Sequence, residues 1–357
     1  MSGWDYGNTR VRAMRSRMLT PEDYSALLLI DSIDGLLGAL GETVYGPDVQ
    51  RAMLRFSHLR CLDEAVRKHL GHRLRLLSTI YKEEEKRRLE LLLHRWDLQN
   101  LRTILRGRLR LEGSEQIVAL LIPAGTIDEA ALFELASQSS LRATIELMMA
   151  WQIPSSEAAG RVLDALPEYE SSGDPSVLER ALQQAYARYV HSILKAAPED
   201  DLARVLRLEV DQTNILTALR LRRSRLDEEP DWDLLDSMAH FLPGGRIDND
   251  TLESARTADD AATAAEVLSS RVAPLGWQEA LARWAGDEDL MQLTTSMTAA
   301  TTTTVVNLFA SGDPLDIGIP VAFAWAKENE ARNLRLIARG VVHHIPADTT
   351  DKELIVA

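Results

Sequence analysis

Apolar residues recur along this chain at spacings of three and four rather than two. From Leu89, the positions Leu89, Leu92, Leu93, Trp96, Leu101, Ile104, Leu105 and Leu109 line one face of a helix. Glu83 to Glu85, followed by Lys86 to Arg88, supply charge expected on a solvated face ahead of it. Alternating β-branched runs and Asn-Gly or Asp-Gly turns do not recur, so the pattern predicts an almost entirely α-helical protein. Toward the C-terminus, Thr251 to Ala265 is rich in Ala, Thr and Asp, and Leu293 to Val306 is heavy in Thr. Thr is a mediocre helix former, so that stretch reads either as helix held by packing or as a looser segment.

Comparing the chain with itself reveals a repeat. Asp97, Asn100, an aliphatic at 101, Ile104 and Arg106 recur in order as Asp211, Asn214, Ile215, Ala218 and Arg220, and again as Glu330, Asn333, Leu334, Ile337 and Arg339. A second landmark, Pro123-Ala-Gly125-Thr-Ile127-Asp128, returns 120 residues later as Pro243-Gly-Gly245-Arg-Ile247-Asp248. Both read as a turn ending in an Asp N-cap, and Thr20-Pro21 does the same job near the start, where Leu19 matches Ile127. The expectation is three helical lobes, 1–118, 119–238 and 239–357. Copies related by one rotation either stack openly or close on themselves, and three units turning about 120° each would make the closed ring that is expected here.

Composition narrows the function. Lys plus Arg number 40 and Asp plus Glu 54, a net charge of −14, and no continuous basic block offsets it, so nucleic acid is not an expected partner. The single cysteine, Cys61, forms no intramolecular disulfide and no thiolate cluster, which fits a reducing compartment. The first twenty residues are charged throughout, unlike a secretory signal, and no apolar run approaches the roughly 20 residues of a membrane span.

Four stretches, in order along the chain, resemble the C subunit of the V/A-type rotary ATPases, the equivalent of the d subunit in eukaryotic vacuolar enzymes. They are Tyr6-Gly-Asn8-Thr-Arg10-Val-Arg12-Ala-Met14, Thr43-Val-Tyr45-Gly46, Trp96 to Gly107, and Lys327 to Ile337. The resemblance implies an all-α, pseudo-threefold funnel. It also implies a non-catalytic central-stalk subunit, without cofactor, on the cytoplasmic side of the membrane. There it would couple the membrane proteolipid ring to the central shaft of a proton- or sodium-translocating complex. A soluble helical-repeat scaffold with no membrane complex is the other reading of the repeat.

No residue pattern argues for chemistry. There is no Gly-Lys-Ser/Thr, Gly-x-Ser-x-Gly or His-Glu-x-x-His, and no histidine follows a Glu by three. His69-x-x-His72 has a spacing that could bind metal, but no third ligand accompanies it and solvated histidines are commoner; His343-His344 point apart. The signature residues Asp97, Asn100, Arg106, Asp211, Asn214, Arg220, Glu330, Asn333 and Arg339 are read as packing devices rather than a functional cluster. Trp96, Trp151, Trp232, Trp277, Trp284 and Trp325 are expected in the core. Trp4 and Tyr6, beside Arg10, Arg12, Arg15 and Arg17, form a local basic and aromatic patch suited to an acidic partner.

Overall fold

The computed structural model describes residues 3–226, 240–272 and 275–356. Its regular structure is α-helix, with no strand among the described residues. The chain divides into two compact units. Trp232 and the boundary expected at 238/239 lie outside the described residues.

The first unit comprises 1–100, 119–132 and 305–357. Its centre is the helix Gly318–Val342, in which every residue from Gly318 to Trp325 is buried. Apolar side chains all round mark a helix wrapped on every side. It packs against His58–Ile80, whose buried stripe includes Cys61, Leu62, Val66, Leu70, Leu74 and Leu77. Local chemistry sets the helix starts. Thr20 and Asp23 form a reciprocal capping box with Pro21 at the first helical position. Ser32 accepts from the Gly35 amide at 3.2 Å, and Asp128 accepts from the Ala131 amide at 2.8 Å.

The second unit comprises 101–118 and 133–304. Asp201–Leu226 contributes Ile215 and Leu219 to a core shared with Asn249–Thr257, Ala261–Ser269, Leu275–Asp287 and Leu290–Val306. Ala255, Ala261, Ala264, Ala265 and Ala280 keep the backbones close around Trp277 and Trp284. The Thr-rich stretch is helix. The hydroxyls of Thr294, Thr298, Thr301 and Thr304 each donate to the carbonyl four residues earlier, and Trp277 Nε1 donates to the Met297 carbonyl at 3.1 Å. Packing thus holds what propensity alone does not. Asp248 and Asp260 cap the helices Asn249–Thr257 and Ala261–Ser269 through the Thr251 and Thr263 amides.

The helix predicted from Leu89 runs over Glu83–Leu109, with Leu89, Leu92, Leu93, Trp96, Leu101, Ile104 and Leu105 buried. Arg88, expected in solvent, is buried. Of the tryptophans assigned to the core, Trp96, Trp277, Trp284 and Trp325 are buried, whereas Trp151, one residue past the end of Leu141–Ala150, is 42% exposed.

Candidate functional site

The repeat signature resolves into two hydrogen-bonding devices. In each copy the Asn lies on a long helix and pairs both its amide groups with one backbone unit further along the chain. Asn100 donates to the Ile122 carbonyl at 2.7 Å and accepts from the Ile122 amide at 2.8 Å. Asn214 does the same with Leu242, at 2.9 and 2.7 Å. Asn333 does it with Ile355, at 2.9 and 3.3 Å. All three asparagines are buried, where an unpaired amide would cost about 1–3 kcal/mol.

The acid three residues earlier reaches the turn that opens a capped helix. Asp97 accepts from the amides of Thr126 and Ile127, each at 3.0 Å, and from the Thr126 hydroxyl at 2.7 Å. Asp211 accepts from the amides of Arg246 and Ile247 at 2.8 and 3.1 Å. Burial raises the Asp211 pKa, and the two amides pull against that rise. Glu330 accepts from the Leu19 amide at 2.8 Å, within the first unit. Gly125 and Gly245 belong to this device, because a Cβ on either would overlap the Asp97 or Asp211 carboxylate. The signature arginines stand differently. Arg106 pairs with Glu179, while Arg220 and Arg339 are exposed.

Around Glu330 lies a buried polar cluster that the pattern of the sequence does not announce. The Tyr45 hydroxyl donates to Glu330 at 2.6 Å, Lys327 forms a buried ion pair with the same carboxylate, and the Lys327 ammonium lies 4.7 Å from the centre of the Tyr45 ring. Burial lowers the Lys327 pKa and Glu330 opposes it; burial and Glu330 together raise that of Tyr45. His69, expected in solvent, is 1% exposed and holds Asp48 at 2.9 Å through Nδ1. Burial takes the His69 pKa down to about 4. Burial pushes the Asp48 carboxyl upward, but hydrogen bonds from His69 and Arg51 bring it down to about 2. His72 is half-exposed, its Nδ1 3.4 Å from Asp48 Oδ1. No cluster of three or more His, Cys, Asp or Glu suited to a metal occurs among the described residues.

At the N-terminus, Trp4 is half-buried against Tyr81, with ring centres 5.0 Å apart. Tyr6 is 68% exposed with the Arg10 guanidinium over its ring, and Arg12 is exposed. The side chain of Asn8 ties this helix down, donating to the carbonyls of Pro314 and Asp316 at 2.9 Å and accepting from the Tyr81 hydroxyl at 2.6 Å. No helix among the described residues is long and apolar enough to cross a membrane.

Among the described residues the regular structure is helical, and the buried signature groups hold turns in place. The family model described as ATP synthase (C/AC39) subunit matches residues 7–353, and the chain belongs to that family. It is 31% identical to the V-type ATP synthase C subunit of Deinococcus radiodurans, over 98% of this chain and 91% of that protein. The A-type ATP synthase C subunits of Methanosarcina barkeri and Haloferax volcanii are 24% and 25% identical, over 99% of this chain and 93% and 97% of theirs. It is accordingly a non-catalytic subunit of an ATP synthase complex.

Proposed function

We propose that the chain is the central-stalk coupler of a V/A-type ATP synthase, seated at the cytoplasmic face of the proteolipid ring and receiving the foot of the central shaft. The family match over residues 7–353 carries this reading. A torque coupler has to be stiff between two unlike contacts, and the signature supports stiffness. In this reading the three lobes, 1–118, 119–238 and 239–357, follow one another in a closed, pseudo-threefold funnel. Each acid would serve the opening turn of the next lobe, Asp97 that at Ile127, Asp211 that at Ile247, and Glu330 that at Leu19. The net charge of −14 suits a ring whose cytoplasmic loops carry basic residues.

The exposed Tyr6, Arg10 and Arg12, together with Trp4, would meet an acidic face of a neighbouring subunit. The test is recovery of the tagged chain from detergent-solubilised membranes that contain the assembled motor, with co-purifying proteins identified by mass. The expected result is a small proteolipid together with the shaft subunits, with recovery of the shaft reduced in an Arg10→Glu/Arg12→Glu variant. Soluble proteins alone would overturn the coupler reading in favour of a helical scaffold.

A further inference from the structure

In the first unit, a cleft of about 30 Å³ opens between the segment that follows Asp5–Arg15, the helix His58–Ile80 and the helix Gly318–Val342. Arg17, Arg73 and Lys327 line it together with His69, Met14 and Met18, and no lining residue is acidic. Lys327 is already answered by Glu330. Arg73 is half-buried and Arg17 exposed, and neither has a carboxylate partner among the described residues. His69 borders the cleft with its ring almost fully buried; Asp48 occupies Nδ1, and Nε2 has no hydrogen-bond partner. A buried polar atom left unpaired beside unneutralised cations, in a chain of net charge −14, is a site suited to an anion that this chain does not itself supply.

We propose that this cleft binds one compact anion of carboxylate size, held by Arg73 and Lys327 and capped by His69 Nε2. The cleft has more space than one water needs, and a carboxylate is the smallest common anion with two oxygens to share between Arg73 and Lys327. The tautomer sets the proton count. With Nδ1–H directed at Asp48, Nε2 carries a lone pair, so donation to an anion requires the imidazole to take up a proton. The groups facing the ring are Asp48 and, through it, Arg51, together with Tyr45, whose ring lies 4.0 Å away, His72 and Arg73 from its own helix, Lys327, and Arg17 across the cleft. Lys327 and Arg73 oppose that proton, and an anion between them offsets the opposition. Anion and proton therefore bind together, and affinity rises as pH falls toward the free ring's pKa of about 4. The anion is either a free carboxylate from solution or an Asp or Glu side chain of a neighbouring subunit; the second source rests on the coupler reading.

Formate serves as the probe on the full chain, with the larger gluconate as control at equal ionic strength. The readouts are thermal unfolding at pH 6 and 8 and the ring ¹⁵N signals of His69, identified by their loss in His69→Asn. The expected result is formate-specific stabilisation, larger at pH 6, with Nε2 moving to the shift of a protonated nitrogen. Arg73→Gln would weaken formate at least tenfold while remaining folded. If Arg73→Gln also recovers less of the complex from membranes, and formate displaces the wild-type chain, the anion is a partner's side chain. If Arg73→Gln assembles normally, it is a free ion. Equal effects of formate and gluconate with an unmoved His69 signal, or an undiminished formate effect in Arg73→Gln, would overturn the proposal. A wild-type chain that recovers no complex refutes the coupler reading and leaves the formate arm to be judged alone.

Discussion

Replacing Asn100 by Leu, a side chain of nearly the same shape, isolates the amide pairing that recurs in every copy of the signature. The substitution leaves Ile122, itself buried, with an amide that has lost its 2.8 Å acceptor and a carbonyl that has lost its 2.7 Å donor. The carbonyl keeps a second donor, the Ala124 amide at 2.7 Å, so it loses one bond of about 1 kcal/mol, while the orphaned amide costs about 1–3 kcal/mol. The sum is about 2–4 kcal/mol. For a cooperative unit of the size of the first one, that lowers the unfolding midpoint by roughly 4–16 °C. Native-state hydrogen exchange at the Ile122 amide reads the loss locally, independent of how the two units unfold. The same change at Asn214 should cost less, because Leu242 is half-exposed and water can take over its carbonyl. An Asn100→Leu variant that melts with the wild type and keeps Ile122 protected would refute the assignment of this motif to turn anchoring.

Two glycines give opposite signs: Gly125→Ala drives a methyl into the Asp97 carboxylate and should destabilise, whereas Gly160→Ala, inside the helix Ser156–Asp164 with nothing within 4 Å of the new methyl, should stabilise by about 1 kcal/mol in urea denaturation. In buffers of weakly binding anions, His69 couples stability to acid. Its folded pKa of about 4 lies below its unfolded value near 6.5, so its contribution is present above pH 6.5 and is lost as pH falls toward 4. That window is worth up to about 3 kcal/mol, and His69→Asn, which keeps a donor to Asp48, should flatten the stability curve between pH 6.5 and 4; an unchanged slope would show that His69 titrates normally.

How far the sequence reaches depends on how local each interaction is. The helices, their caps at Thr20, Asp128 and Asp248, and the recurrence of Asp, Asn and Arg at fixed spacing all follow from residues within a turn or two of one another. The sequence also places the family, because the stretches that carry the resemblance are spread over the whole chain. It does not reveal what the signature bonds to. The Asp97 carboxylate finds amides 29 and 30 residues on, and the Tyr45 hydroxyl finds Glu330 285 residues away. Which positively charged residues sink into the interior is equally non-local. Arg88 and Lys327 are buried and His69 is enclosed, while Trp151, apolar and on a helical period, is left in solvent just past a helix end. The Lys327 charge is neutralised by Glu330 one turn along its own helix, but the enclosure of that pair is non-local, since the same carboxylate takes the Leu19 amide and the Tyr45 hydroxyl from the other end of the chain. Periodicity, charge and repeat were therefore determined along the chain. The pairing of buried polar groups, and with it the cationic cleft beside His69, was decided only when tertiary packing brought far-apart segments together and excluded water from between them.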